Sequence, residues 1–97
     1  ISDRTLKENE TSAKSQWDDI KALQIKNYNL IAYKDRPQLG VIAQDLESSG
    51  MTGLVKTDSE GIKSVKYSVL YMKAVKALQE AMTKIEDLET RVKTLEG

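Results

Sequence analysis

Tyr67-Ser68-Val69-Leu70-Tyr71-Met72-Lys73-Ala74-Val75-Lys76-Ala77-Leu78, running on through Ala81, Ile85, Leu88 and Val92 to Leu95, decides the fold. No Pro or Gly interrupts the chain from Ser68 until Gly97. Tyr67, Tyr71, Ala74, Leu78, Ala81, Ile85, Leu88, Val92 and Leu95 follow one another at alternating spacings of four and three. That is a heptad seam without a stutter. It predicts a long helix that associates with copies of itself rather than one packing only on its own domain. With Tyr71 at a, the a positions are Tyr71, Leu78, Ile85 and Val92. The d positions are then Tyr67, Ala74, Ala81, Leu88 and Leu95.

The flanking positions change character along this helix. Leu70, Val75, Ala77 and Met82 make e and g apolar in the first half. In the second half Lys84 and Arg91 occupy g, and Glu89 and Glu96 occupy e. Between parallel chains g meets the following e of the neighbour, so Lys84 would face Glu89 and Arg91 would face Glu96. An antiparallel pairing would bring like charges together. The pattern predicts parallel chains in register, although exposed pairs of this kind contribute only about 0–1 kcal/mol each. Strand number stays open at this level. Ile and Val at a with Leu at d suit dimers, whereas the broad apolar face of the first half suits three or more chains.

Upstream of the seam, two short alternating runs, Gly53–Thr57 and Ile62–Lys66, flank Asp58-Ser59-Glu60-Gly61 and predict a β-hairpin. Gly40-Val41-Ile42-Ala43-Gln44-Asp45-Leu46-Glu47 is apolar and then polar, leading into a short helix that stops near Gly50. Residues 27–34 carry aromatic and β-branched side chains and predict a strand. Asp35-Arg36-Pro37 turns the chain, and Pro37, its only proline, is expected to end that strand. Trp17, Ile20 and Leu23 fall on one face of a short helix capped by Thr11, Ser12 or Ser15. Residues 1–12 are polar and aperiodic, which predicts a loop or extended arm. The fold class expected is α+β: short helices and a hairpin in a small globular part, plus the long C-terminal helix.

A chain of 97 residues makes one domain with a small core, and small domains commonly gain stability from disulfides, metals or oligomerisation. The absence of Cys and His excludes disulfides and the usual zinc, haem and iron–sulfur sites. No metal and no cofactor is expected, which leaves oligomerisation. Fifteen basic and fifteen acidic residues balance to zero, so no nucleic-acid or anionic-membrane partner is expected. No apolar run reaches membrane-spanning length, and no signal peptide is read.

Ser2-Asp3-Arg4-Thr5-Leu6-Lys7-Glu8-Asn9 stands one residue behind Ile1. A hydroxyl and an amine at the start of a domain are well placed to act on the peptide bond that joins it to something upstream. A serine hydroxyl needs a base, and lysine serves as one where burial favours its neutral amine. A Ser and a Lys five residues apart carry little specificity alone; most such pairs are solvated surface. In a regular helix they would lie about 140° apart, so a working pair needs a bent or extended arm. Leu6 could anchor that arm in an apolar groove.

The octapeptide Ser2–Asn9 resembles the opening motif of the peptidase S74 family, the C-terminal intramolecular chaperone domains of phage tail spikes and fibres. Gly40–Glu47 resembles the family's second signature. Asp58–Leu70 resembles its third, which leads into a trimeric helical tail. The segment Glu47 to Val55 departs from the pattern in lacking the proline often found after the second signature. The resemblance implies a homotrimer that brings upstream chains into register for β-rich folding and then cuts itself off before the motif serine. Carried over, that serine is Ser2, its base is Lys7, and the scissile bond is Ile1–Ser2. Asp3, Arg4, Glu8 and Asn9 would hold positioning roles.

The expected organisation is an arm over 1–12, a globular part over 13–66 and a trimerising helix over 67–97, ending abruptly enough that the native coiled coil could run further. Tyr71, Ala74, Leu78, Ala81, Ile85, Leu88, Val92 and Leu95 would form the trimer interface. The partners implied are two further copies and the upstream fibre or spike segment of the same polypeptide. The place implied is the host cytoplasm during virion assembly. A structural trimerisation tip retained on the fibre without cleavage is the alternative, and an adaptor that recruits a partner helix is a third reading. Ala43 and Gln44 are read as a packing and hydrogen-bonding pair, the tyrosines and Trp17 as core or interface, and Gly61 as a turn residue.

Overall fold

The computed structural model describes all residues from Ile1 to Gly97. The protein is mixed in class, with two small two-stranded sheets, short helices and one long C-terminal helix. In chain order the elements are α1 (Trp17–Lys21), β1 (Lys26–Leu30), β2 (Tyr33–Gly40), α2 (Ala43–Ser48), β3 (Val55–Thr57), β4 (Lys63–Val65) and α3 (Tyr67–Glu96). Single 3-10 turns lie at Arg4–Leu6 and Thr52–Leu54.

The long helix forms as its uninterrupted pattern predicts. Its 30 residues span roughly 45 Å at 1.5 Å per residue. The molecule is correspondingly drawn out, 61 Å in its longest dimension with a radius of gyration of 18.4 Å, against about 13 Å for a compact domain of 100 residues. Little of such a chain can be interior, and only 8 of 97 residues are buried.

The core is one cluster beneath the start of α3: Val41, Leu46, Met51, Leu54 and Leu70, with Ile20, Leu23, Val55, Val65 and Tyr67 packed against it. Local geometry delivers these residues. Helix α2 ends in two backbone bonds, Gly50 N–H to Glu47 C=O at 3.1 Å and Met51 N–H to Leu46 C=O at 2.9 Å. This Schellman arrangement needs a left-handed residue, and Gly50 supplies it at φ 82°. It brings Leu46 and Met51 into the same cluster. The β3–β4 hairpin pairs Val55 with Val65 and Thr57 with Lys63. Its loop is held by Asp58, whose Oδ1 accepts the N–H groups of Glu60 at 2.8 Å and Ile62 at 3.0 Å. Lys66 N–H then donates to Leu54 C=O at 2.8 Å, tying the start of α3 to the core.

One sequence expectation is corrected. Residues 27–34 do not form a single strand closed by Pro37. The chain reverses at Ile31-Ala32, and β1 pairs antiparallel with β2, which contains Pro37 opposite Asn29. Each strand of a two-stranded sheet is an edge, where a proline's missing N–H costs no ladder bond. The register shifts just beside this pair, between Asn29 and Leu30. The hairpin returns to the core at buried Gly40, where a Cβ would stand 2.9 Å from Tyr67 Oη. The cap expected on α1 is also adjusted. Gln16 occupies the N-cap without a side-chain bond, while Ser15 Oγ accepts the Trp17 N–H at 3.3 Å. Of the pair read in α2, Ala43 is buried but Gln44 is exposed.

Candidate functional site

The N-terminal arm is shaped rather than featureless. Asp3 caps the 3-10 turn, its Oδ1 accepting the Thr5 N–H at 2.9 Å and the Thr5 hydroxyl at 2.8 Å. These two bonds, the backbone one foremost, hold the Asp3 carboxyl below its ordinary range. Backbone bonds from Leu6 N–H to Asp3 C=O and from Lys7 N–H to Arg4 C=O, both 3.1 Å, close the turn. Beyond Lys7 the chain bends again at Asn9, which adopts φ 55°, a left-handed conformation that Asn tolerates better than most residues. Glu10 thereby returns to Arg4, and the two side chains pair through both ends, Nε to Oε2 at 3.0 Å and Nη2 to Oε1 at 3.1 Å.

Only the first of these turns, at Arg4–Leu6, lies between Ser2 and Lys7; the bend at Asn9 follows both. Both residues are exposed, as are Glu8 and Leu6. The side-chain hydrogen bonds of the arm join Asp3 to Thr5 and Arg4 to Glu10, and none joins Ser2 to Lys7. Of the expected positioning residues, Asp3 caps the turn, Arg4 clamps the arm and Asn9 reverses it. Glu8 makes no such bond. Thr5 and Glu10 also take part, and no spacing or periodicity marks either of them. The only local signal for Glu10 was an acidic side chain on the far side of an Asn from Arg4.

Behind the arm, α1 lies against α3. Lys73 Nζ donates to Gln16 Oε1 at 2.6 Å and to Asp19 Oδ2 at 2.9 Å. Glu80 Oε2 accepts the Gln16 N–H at 2.9 Å. The Ser15 hydroxyl, then the Gln16 N–H, hold the Glu80 carboxyl below the usual carboxylate range, helped by the nearby charges of Lys76 and Lys84. The arm thus leaves the body at a point fixed on the long helix.

The large seam residues from Leu78 onward are uncovered on the single chain. Leu78, Ile85, Leu88 and Val92 are each half or more exposed, and Leu95 is 87% exposed. Such an exposed apolar stripe is a candidate interaction surface. Within one chain the two g-position cations have local partners. Lys84 Nζ stands 3.7 Å from the centre of the Trp17 ring, and Arg91 pairs with Asp87 one turn back at 3.2 Å.

The family model for the chaperone of endosialidase, peptidase S74, matches residues 2–56. The chain belongs to this family. The S74 match begins at Ser2, covers the arm, α1, both strands of the first hairpin and α2, and ends inside β3. It includes the first two signatures read from the sequence; the third, Asp58–Leu70, and the body of α3 lie beyond it. No curated protein and no solved structure matches the chain. In this S74 domain the matched region and the start of the heptad helix meet at the shared core.

Proposed function

We propose that this S74 domain trimerises through α3, sets three copies of an upstream fibre or spike segment in register, and then releases itself at the Ile1–Ser2 bond. The single observation that carries the reading is the family match opening at Ser2 on an exposed, shaped arm. The bare seam of α3 supports the assembly step. This work would take place in the host cytoplasm during virion assembly.

The chemistry is a single-turnover acyl shift. The neutral Lys7 amine accepts the proton of Ser2 Oγ as that oxygen attacks the Ile1 carbonyl carbon. The C–N bond to Ser2 breaks, its nitrogen takes the proton, and an ester links Ile1 to Ser2 Oγ. Water then hydrolyses the ester, leaving a carboxylate on Ile1 and a free amine and hydroxyl on Ser2. Holding both reactants on adjacent residues supplies a proximity advantage that reaches roughly 7–11 kcal/mol in well-oriented systems. The exposed arm of one chain leaves Lys7 in water. Assembly would enclose the arm, and burial without a counter-charge favours a neutral amine. Cleavage would thereby report completed assembly, and loss of the chaperone would make fibre folding irreversible.

The chaperone role is tested by producing the native upstream segment with and without residues 1–97. Soluble, protease-resistant upstream trimers should form only when the domain is attached at synthesis. Equal yields without it would overturn this role. The absence of a Ser2–Lys7 hydrogen bond in the single chain favours the second reading, a tip retained without cleavage, if it persists on assembly.

A further inference from the structure

Helix α1 and α3 flank an open, mostly apolar groove of about 460 Å³, lined by Trp17, Ile20, Ala74, Ala77, Leu78 and Ala81, with Lys21 the one charged residue in its lining. Ala74, Leu78 and Ala81 are d, a and d residues of the seam, and Ala77 is the g residue beside them. Three alanines form a low floor, with Trp17 as a wall. A helix that covers the seam must therefore fill this groove as well.

From this geometry we infer that the groove receives Met82 of a second copy of this chain, so that α1 forms an outer wall of the intersubunit contact. The inference rests on the trimeric reading above and adds to it the register and the residue. In parallel heptads, g of one chain meets the following e of its neighbour. For Ala77 that e residue is Met82. Met82 is 51% exposed on its own chain. Its unbranched, polarisable side chain fills irregular gaps and favours aromatic edges. One heptad further on, Lys84 at the groove's rim meets Glu89 of the same neighbour. The charge at the rim is thus complementary to the occupant in this register and in no antiparallel one. In the single chain Lys84 Nζ stands 3.7 Å from the centre of the Trp17 ring, which places Trp17 beside the g edge of α3, where the neighbour's Met82 would stand.

Trp17 is the only tryptophan and the chain has no cysteine, so a two-chain experiment reads the contact cleanly. One chain keeps Trp17 and Met82. The other carries Trp17→Phe and Met82→Cys with a nitroxide on the new thiol. The two are refolded together with the labelled chain in excess, and native mass spectrometry confirms mixed trimers. Most of the Trp17 emission should be lost in those trimers and retained when the label is moved to Thr83, at the outward f position. Mixed trimers whose Trp17 emission is unchanged by the Met82 label would overturn the groove assignment while leaving trimerisation intact. Absence of trimers altogether would overturn both. A Trp17 emission that responds only when the upstream segment is attached would assign the groove to that segment instead.

Discussion

Leu88→Glu leaves the chain monomeric and its precursor uncleaved. Leu88 is a d residue in the second half of α3, 56% exposed on the single chain and remote from the core cluster. Its replacement therefore leaves the individual fold intact. In the trimer it would stand opposite its two counterparts. Losing three such burials at roughly 2 kcal/mol each costs about 6 kcal/mol, or some four orders of magnitude in association. Three carboxylates forced into one apolar layer add desolvation and repulsion. Sedimentation should show single chains with unchanged helix content by circular dichroism, and a gel should show intact precursor. Efficient cleavage by a demonstrated monomer would separate cleavage from assembly and end the proposed coupling.

Lys7→Met has the opposite signature: trimers persist and cleavage fails. Lys7 is exposed and contributes no side-chain hydrogen bond to the arm, so its loss should not disturb the fold. Methionine keeps the length and removes the amine. A general base contributes typically about 10²–10⁴-fold, and the cleavage rate of a purified trimeric precursor should fall within that range. Lys7→Arg should not rescue it, because a guanidinium holds its proton throughout the usable pH range. An undiminished rate in Lys7→Met trimers would place the base elsewhere.

Much of the architecture could be read from local pattern. Helix α3 was legible because period and composition agree along its whole length. The β3–β4 hairpin was legible because two alternating runs flank a loop with Asp58 at its start and Gly61 near its end. The β1–β2 hairpin is hidden because Pro37 has the pattern of a breaker, and a breaker loses its force in a strand with a free edge. The arm's motif pointed to the family, but not to the arm's shape. The Arg4–Glu10 pairing depends on Asn9 entering a left-handed conformation, which local propensity permits without requiring. The seating of α1 was hidden for a different reason. Gln16 and Glu80 are 64 residues apart, and no periodicity links them. The heptad pattern assigns Lys84 to a neighbouring chain, whereas in the single chain it meets Trp17 of its own.

The most direct test of self-release is the intact mass of a longer precursor carrying its native upstream segment, compared with its Ser2→Ala variant. Two fragments whose masses meet between Ile1 and Ser2, with the variant left whole and trimeric, are the predicted result. A wild-type precursor that assembles into trimers and stays whole would contradict it.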